Sequence, residues 1–188
     1  MDNRSALLDC ALDLFAARGY EAVGVQEIVE AAGVTKPTLY HYFGNKRGLL
    51  DALLDREFTP LYQAVQQVAD YHGDLPLTLE KVTRAFFDFA KTHRTFYRMQ
   101  LALWYSPHKS EPFQAVEPWN EQLYQPIERM FIQAAEQHGN LRGRQLAYAA
   151  TLFGMIHTYI SMALTEYTEL EDPLVYQAVH QFMYGIFS

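Results

Sequence analysis

The sequence predicts an all-α fold of about nine helices, with a three-helix N-terminal part and a larger helical part. Apolar residues recur at three- and four-residue spacings along most of the 188 residues, which is the period of a helix with one buried face. Gly, Pro, Asn and Asp lie where these stripes begin or end, as they do in helix caps. The chain is 49% hydrophobic and 20% charged, so it can bury a sizeable core.

Two short helices are predicted at the start of the chain. An apolar stripe predicts the first over 4–18, and Gly19 ends it. A second stripe predicts a helix over 24–32. Gly24 is its expected N-cap, although glycine offers no side-chain oxygen.

Turn chemistry predicts a third helix that ends at Phe43. Gly33 can take the left-handed conformation that closes the preceding helix. Thr35 is a good N-cap, and Pro37 lies in the first turn, where a missing amide proton does no harm. Leu39 and Phe43 share one face and pack inward. Two short helices joined by a glycine-containing turn make a helix-turn-helix.

The outward face of the third helix is free of carboxylates. Residues 31–50 contain no Asp or Glu, although the whole chain has a net charge of −7. A short helix that exposes a cation, hydroxyls and a proline is suited to the major groove of DNA. Because the chain is acidic, nucleic acid has to be met by this local patch.

An ordered set of residues in the first quarter of the chain matches a known family. The set is Leu14-Phe15, Gly19-Tyr20, Ile28, Ala32-Gly33-Val34, Leu39-Tyr40, Phe43 and Lys46. It resembles the DNA-binding domain of the TetR-type (tetracycline repressor-like) transcriptional regulators. The resemblance implies a helix-turn-helix DNA-binding domain at 1–47 and a helical ligand-binding and dimerisation domain at 48–188.

The resemblance also implies which residues contact DNA. They are Gly24, Thr35, Lys36, Pro37, Thr38, Tyr40, His41 and Lys46. The threonines would contact phosphate or base edges, the helix-tip lysine and proline would face bases, the tyrosine would donate to a phosphate and the histidine would lie at the groove edge. Lys46 would meet a phosphate at the start of the fourth helix, or it is a solvated helix start. The family usually has Ser or Thr before the second helix, whereas this chain has Val23-Gly24, so a phosphate contact there comes from a backbone amide or is absent.

The remaining helices are predicted from caps and apolar stripes. Asn45 caps a fourth helix that runs to about Tyr71, and Pro60 inside it is either a boundary between two helices or a joint between head and body. The three prolines of 106–118 predict a loop or broken helix, either a flap over a cavity or a surface connection. Further helices are predicted over 75–92, 95–105, 119–138 and 142–166, and from Asp172 onward.

Ring-rich faces in the larger part predict a cavity for a small apolar or aromatic effector. The alternative for each residue is core packing. The candidate lining residues are Phe86, Phe89, Phe96, Trp104, Tyr105, Trp119, Tyr124, Phe153 and His157.

A seam of small residues along 142–166 lets another helix approach closely. The resemblance implies that the last two helices pair with their mates in a four-helix bundle, which makes a homodimer. The alternative is packing within the subunit. The interface candidates are Ala147, Ala150, Gly154, Thr158, Ser161, Val175, Val179, Phe182 and Met183, and Ile186 extends the apolar face of the last helix.

Several classes of protein receive no support from the sequence. Cys10 is the single cysteine, which excludes a disulfide framework and a cysteine-based zinc site. There is no Gly-rich phosphate loop, nucleophile elbow or metal-spaced His pair, so no enzyme activity, cofactor or metal is expected. We expect neither a membrane span nor a signal peptide, and hence a cytoplasmic protein.

The sequence therefore predicts a homodimeric, sequence-specific DNA-binding transcriptional regulator. It is expected to be a repressor that binds a palindromic operator in double-stranded DNA and is released by its effector. One alternative is a helical small-molecule-binding protein with a vestigial DNA-binding head. The other is an all-helical enzyme.

Overall fold

The computed structural model describes residues 2–185, and within them the chain is helical throughout, with short connections. The nine α-helices of this described part confirm the predicted fold class. Ile186 lies outside the described residues. The helices are α1 (Asn3–Arg18), α2 (Val25–Ala31), α3 (Lys36–Phe43), α4 (Lys46–Val68), α5 (Leu75–Thr92), α6 (Arg94–Trp104), α7 (Glu111–Gln137), α8 (Gln145–Leu164) and α9 (Asp172–Tyr184), with a 3-10 turn at Gly139–Leu141.

The described chain forms two compact units. The first unit takes in the chain up to Thr59 together with His93–Asn120, and the second takes in Pro60–Thr92 and the chain from Glu121 onward. In the first unit α1 packs against α2, α3 and α6, and in the second α5 packs against α8 and α9. The functional division after residue 47 stays a prediction.

Pro60 does not separate two helices. It lies inside α4, which continues through it to Val68. The proline ring is exposed, whereas Phe58 and Leu61 on either side of it are each 1% exposed. Burial of the flanking side chains offsets the lost backbone hydrogen bond. The boundary interpretation is therefore wrong.

The predicted loop over 106–118 is also wrong. Only residues 105–110 connect α6 to α7, because α7 begins at Glu111. Pro112 occupies the first turn of α7, where its missing amide proton costs no hydrogen bond. Pro118 lies in the helix interior on an exposed face, and the neighbouring Ala115 and Val116 are buried. Packing thus overrides the helix-breaking tendency from which the loop was predicted.

One described helix corrects the expectation about apolar length. By length and composition alone, α8 is apolar enough to cross a membrane, with a mean hydropathy of 1.2. Only 28% of that apolar window is buried within residues 2–185. Most of α8 therefore lacks a partner helix in the isolated subunit.

Candidate functional site

The α2–turn–α3 segment has helix-turn-helix geometry. Residues 32–35 join the two helices, and Gly33 has a φ of +66°, which a side-chain-bearing residue rarely adopts. Ile28 of α2 and Leu39 of α3 are fully buried and hold both helices on α1. The predicted turn and the predicted inward face of α3 are both present.

The predicted reading face of α3 is open to solvent. Lys36, Pro37, Tyr40 and His41 are exposed, and Thr38 is half-buried. Neither α3 nor the turn before it contains a carboxylate. The structure therefore brings five of the eight predicted DNA-contact residues together on one short helix, and their contact with DNA stays a prediction.

The two threonines at the start of α3 pair with each other. Thr35 is the N-cap residue, with an extended backbone, but its hydroxyl makes no hydrogen bond to a backbone amide. Instead the Thr35 and Thr38 hydroxyl oxygens lie 2.9 Å apart. The start of α3 is thus left without a side-chain cap, which favours an approaching anion.

Lys46 is committed to its own protein, which corrects its predicted role. Its Nζ donates hydrogen bonds to the carbonyl oxygens of Tyr20, at 3.1 Å, and Val23, at 3.2 Å. The same ammonium lies 4.0 Å from the centroid of the Tyr20 ring, a cation–π contact. Lys46 therefore fixes the start of α4 against the α1–α2 connection instead of offering a free charge to a phosphate.

The Gly24 amide is likewise engaged. Its N–H donates to Glu27 Oε1 at 3.1 Å, and the same carboxylate pairs with Arg18. The hydrogen bond from Gly24 and then that from Arg18 hold the pKa of the Glu27 carboxyl below its usual range. A phosphate could reach this amide only by replacing a carboxylate, so the expected backbone contact at Gly24 is corrected.

Few cations of the head are uncommitted. Arg47 is bound to Asp51 at 2.8 Å and to the Glu111 carbonyl at 3.1 Å. Within residues 2–53, Lys36 and Arg4 are the Lys or Arg side chains that make neither a salt bridge nor a hydrogen bond. This leaves two mobile positive charges near α3.

Sequence reasoning missed two side chains beside the reading face. Tyr42 is 42% exposed. The Arg4 guanidinium lies 5.6 Å from the centroid of the Phe43 ring, at the end of α3. A cation in the first turn of α1 was visible in the sequence, but its position beside α3 depends on how α1 and α3 pack.

The structural role of Lys46 gives a first prediction. Lys46→Met keeps the aliphatic stem but leaves two carbonyl oxygens without their donor, so we expect a loss of about 1–2 kcal/mol in the free energy of unfolding. Thermal melts followed by circular dichroism measure it. Lys36→Met is the matched control and should change stability by less than about 0.5 kcal/mol, because Lys36 is exposed. Equal melting temperatures for the two variants would contradict the clamp.

In the first unit, the predicted effector residues divide into packed and exposed. Phe96 and Trp119 both pack on Phe58, at centroid distances of 4.9 and 5.4 Å. Trp104 stacks on another ring of α7. Tyr105 is 79% exposed and so does not line a buried cavity, which corrects its assignment.

In the second unit, four predicted effector residues form one ring cluster. Phe153 lies 6.0 Å from both Phe86 and Tyr124 and 4.2 Å from His157, between centroids. Burial lowers the pKa of His157 to about 4, against the opposing effect of its hydrogen bond to the Phe153 carbonyl, so the imidazole is neutral at pH 7. Phe89, on the same helix as Phe86, is 8% exposed. The cluster is apolar and uncharged, as an apolar effector requires, and its use for binding stays a prediction.

The predicted dimer residues also divide. The five small residues of the α8 seam (Ala147, Ala150, Gly154, Thr158 and Ser161) are all exposed. On α9, Val175 and Val179 are each 2% exposed because α9 packs on α5, so they belong to the subunit core and their interface assignment is corrected. Phe182 and Met183 are half-buried.

The surface of α8 and α9 contains a largely apolar groove of about 550 Å³. Its rim includes a row of stacked rings on α9 that the sequence prediction omitted, formed by Tyr176, His180 and Tyr184 at spacings of 5.7 and 4.7 Å. The groove is lined by Tyr148, Thr151, Met155, Thr158, Tyr159, Met162, Gln181 and Phe182.

Comparisons with known proteins bear on this geometry. Residues 7–53 match the model of the bacterial regulatory proteins, tetR family. The chain is 38% identical over 98 residues to the HTH-type transcriptional activator FasR of Mycolicibacterium smegmatis, covering 52% of this chain and 45% of FasR. It is 52% identical over 54 residues to the HTH-type transcriptional repressor ComR of Escherichia coli, covering 29% and 26%. The chain thus spans less than half the length of these curated relatives.

Solved structures share the whole fold at lower identity. The transcriptional regulator FadR from Bacillus subtilis, in complex with stearoyl-CoA, superposes with a TM-score of 0.80 at 19% identity, over 97% of this chain and 98% of that one. The fatty acid degradation regulator FadR from Bacillus halodurans gives a TM-score of 0.79 at 17% identity, over 100% and 97%. With its helix-turn-helix matched at residues 7–53, the chain belongs to the TetR family of bacterial regulatory proteins.

Proposed function

We propose that the chain is a homodimeric, ligand-responsive transcriptional regulator that binds operator DNA through α3. The single observation that carries the proposal is the exposed, carboxylate-free face of α3 in a chain of net charge −7. Two-fold symmetry then requires a palindromic operator with half-sites about 34–36 Å apart, or a multiple of that spacing. Binding to chromosomal DNA places the activity in the cytoplasm.

The dimer is proposed to form through α8. Its small residues are exposed, and an apolar groove lies beside them. Small side chains let two helix backbones approach closely, which maximises packing between them. The exposed rings of α9 add apolar area to the same interface.

We propose repression as the direction of control. A bound dimer occludes a promoter without a further surface, whereas activation needs a contact to the transcription machinery. The curated relatives include both directions, since ComR is named a repressor and FasR an activator. A reporter gene behind the operator separates them, because repression predicts higher expression when the regulator is deleted.

The proposed effector is a small molecule with a long apolar or aromatic part. The ring cluster around Phe153 supports this class, and the stearoyl-CoA bound to the Bacillus subtilis protein is a molecule of that kind. The effector can release DNA only to the extent that it binds the non-operator conformation better than the operator conformation. A ligand that binds without changing operator affinity would contradict the coupling.

DNA contacts at α3 give a second prediction, which tests the function directly. With few uncommitted cations, log affinity should fall modestly with log salt, and Lys36→Met should reduce the magnitude of that slope by about 1. Tyr40→Phe should weaken binding without changing the slope, because it removes a neutral donor. Gel-shift titrations on the promoter of the chain's own gene measure both effects. Equal affinity for random DNA and for that promoter would refute sequence-specific binding.

A second candidate function keeps the body and discards the head. The engaged Gly24 amide and the engaged Lys46 ammonium favour it, since both were expected to contact phosphate. The chain would then be a small-molecule-binding protein with a vestigial DNA-binding head. Operator selection from a random DNA library distinguishes the two, because a vestigial head enriches no inverted repeat.

A further inference from the structure

Two buried amide side chains in the first unit lack hydrogen-bond partners. Gln100 on α6 is 2% exposed and Asn120 on α7 is 5% exposed. Among residues 2–185, nothing donates to Gln100 Oε1 and nothing accepts from Asn120 Nδ2. A buried polar atom without a partner is costly, and folded proteins pair nearly all such atoms. The two amides therefore need a partner from outside the described chain.

Both amides lie beside the same three rings. Phe58 packs on Phe96 of α6 and on Trp119 of α7, with centroid distances of 4.9 and 5.4 Å. Gln100 follows Phe96 by one helical turn on the same face, and Asn120 follows Trp119 directly. A hydrogen-bond acceptor and a donor are thus held at an apolar, aromatic cluster, which is the usual composition of a small-molecule site.

The surroundings disfavour a charged partner. Tyr97, three residues before Gln100 on the same face of α6, is 1% exposed, and burial raises the pKa of its phenol. A neutral group that fits must donate to Gln100 Oε1 and accept from Asn120 Nδ2. An amide does both, an ester can only accept, and a carboxylate adds a charge.

We propose that Gln100 and Asn120 are the polar anchors of the effector site and that the effector is an apolar molecule carrying a neutral amide. The amide N–H donates to Gln100 Oε1, and the amide oxygen accepts from Asn120 Nδ2. This inference rests on the proposed ligand-responsive function and specifies the effector's polar group. Neither residue was among the candidates from sequence.

Three probes of equal chain length test the anchor chemistry: dodecanamide, methyl dodecanoate and dodecanoate. Binding is followed by the fluorescence of Trp119, which adjoins Asn120. We expect the amide to bind at least about tenfold more tightly than the ester or the carboxylate, because only the amide satisfies both buried atoms. Equal affinities for amide and ester overturn the proposal.

Substitution of the anchors should remove selectivity and leave apolar binding intact. In Gln100→Met and Asn120→Leu the ratio of ester to amide dissociation constants should fall to below about threefold, with ester affinity unchanged. Gln114→Met, on an exposed face of α7, is the matched control and should keep the wild-type ratio. Unchanged selectivity in both anchor variants overturns the assignment.

The melting temperature of the ligand-free protein distinguishes an anchor from a structural amide. Because each substitution removes a buried polar group that has no partner, the melting temperature should hold or rise by about 2–4 °C. A fall of several degrees in both variants would mean that the amides serve the fold, and it overturns the proposal.

Operator binding by the same preparations separates this inference from the proposed function. If the ligand-free protein binds an inverted repeat but shows no amide preference, the anchor assignment fails and the regulator stands. If the amide preference is present and no operator is bound, the regulator fails and the binding site stands.

Discussion

Gly48→Ala is expected to lower the melting temperature by roughly 6–12 °C and to weaken operator binding at least about tenfold. A Cβ atom at Gly48 would lie 2.1 Å from the Phe43 carbonyl oxygen and 3.2 Å from its carbon. Both are backbone atoms at the end of α3, so relief requires a shift of α3 or of the start of α4. The cost should be about 3 kcal/mol, the upper end for overpacking.

The close approach at Gly48 also depends on its cap. The Gly48 amide donates to Asn45 Oδ1 at 2.8 Å, which anchors the first turn of α4 directly after α3. Gly139→Ala is the control, because a Cβ there meets no atom within 4 Å. Thermal melts and gel shifts on the two purified variants give the comparison. A Gly48→Ala protein as stable as Gly139→Ala would show that the α3–α4 junction yields freely.

Ala150→Glu should convert the proposed dimer to monomers and reduce operator affinity at least about a hundredfold. Ala150 is exposed in the middle of the small-residue seam of α8. Two-fold symmetry places two new carboxylates in one apolar interface, where each loses water without gaining a partner. A monomer holds one half-site at a time and so loses the affinity that the second head supplies.

The oligomeric state is measured by sedimentation velocity at several protein concentrations. Gln63→Glu, an exposed position on α4, adds the same charge away from the seam and should leave both dimer and operator binding intact. A monomeric wild-type protein, or a dimeric Ala150→Glu protein, would contradict the α8 interface.

The features that sequence predicted correctly are determined locally. Gly33 needs only its own backbone conformation, and Thr35 and Asn45 need only the residues that follow them within one turn. Helix starts, ends and the helix-turn-helix follow from such short-range chemistry. Leu39 could be assigned to the buried face because α3 is short and has a single apolar stripe.

The incorrect assignments involve partners distant in sequence or packing that overrides local preference. The carbonyls that hold Lys46 belong to residues 23 and 26 positions earlier, so a free and a committed lysine look alike in the sequence. Val179 has the same apolar character whether it faces α5 or a second subunit. Gln100 was overlooked because a polar residue on an apolar helix gives no periodic signal, and its missing partner appears only once burial is known.

The sparsely covered α8 has a consequence for gene control. If operator binding requires two copies joined through this helix, then below the dimer dissociation constant promoter occupancy rises with the square of protein abundance. Doubling the number of molecules per cell would then raise occupancy about fourfold at low levels. Expression level would therefore act as a steep input of its own, alongside the effector.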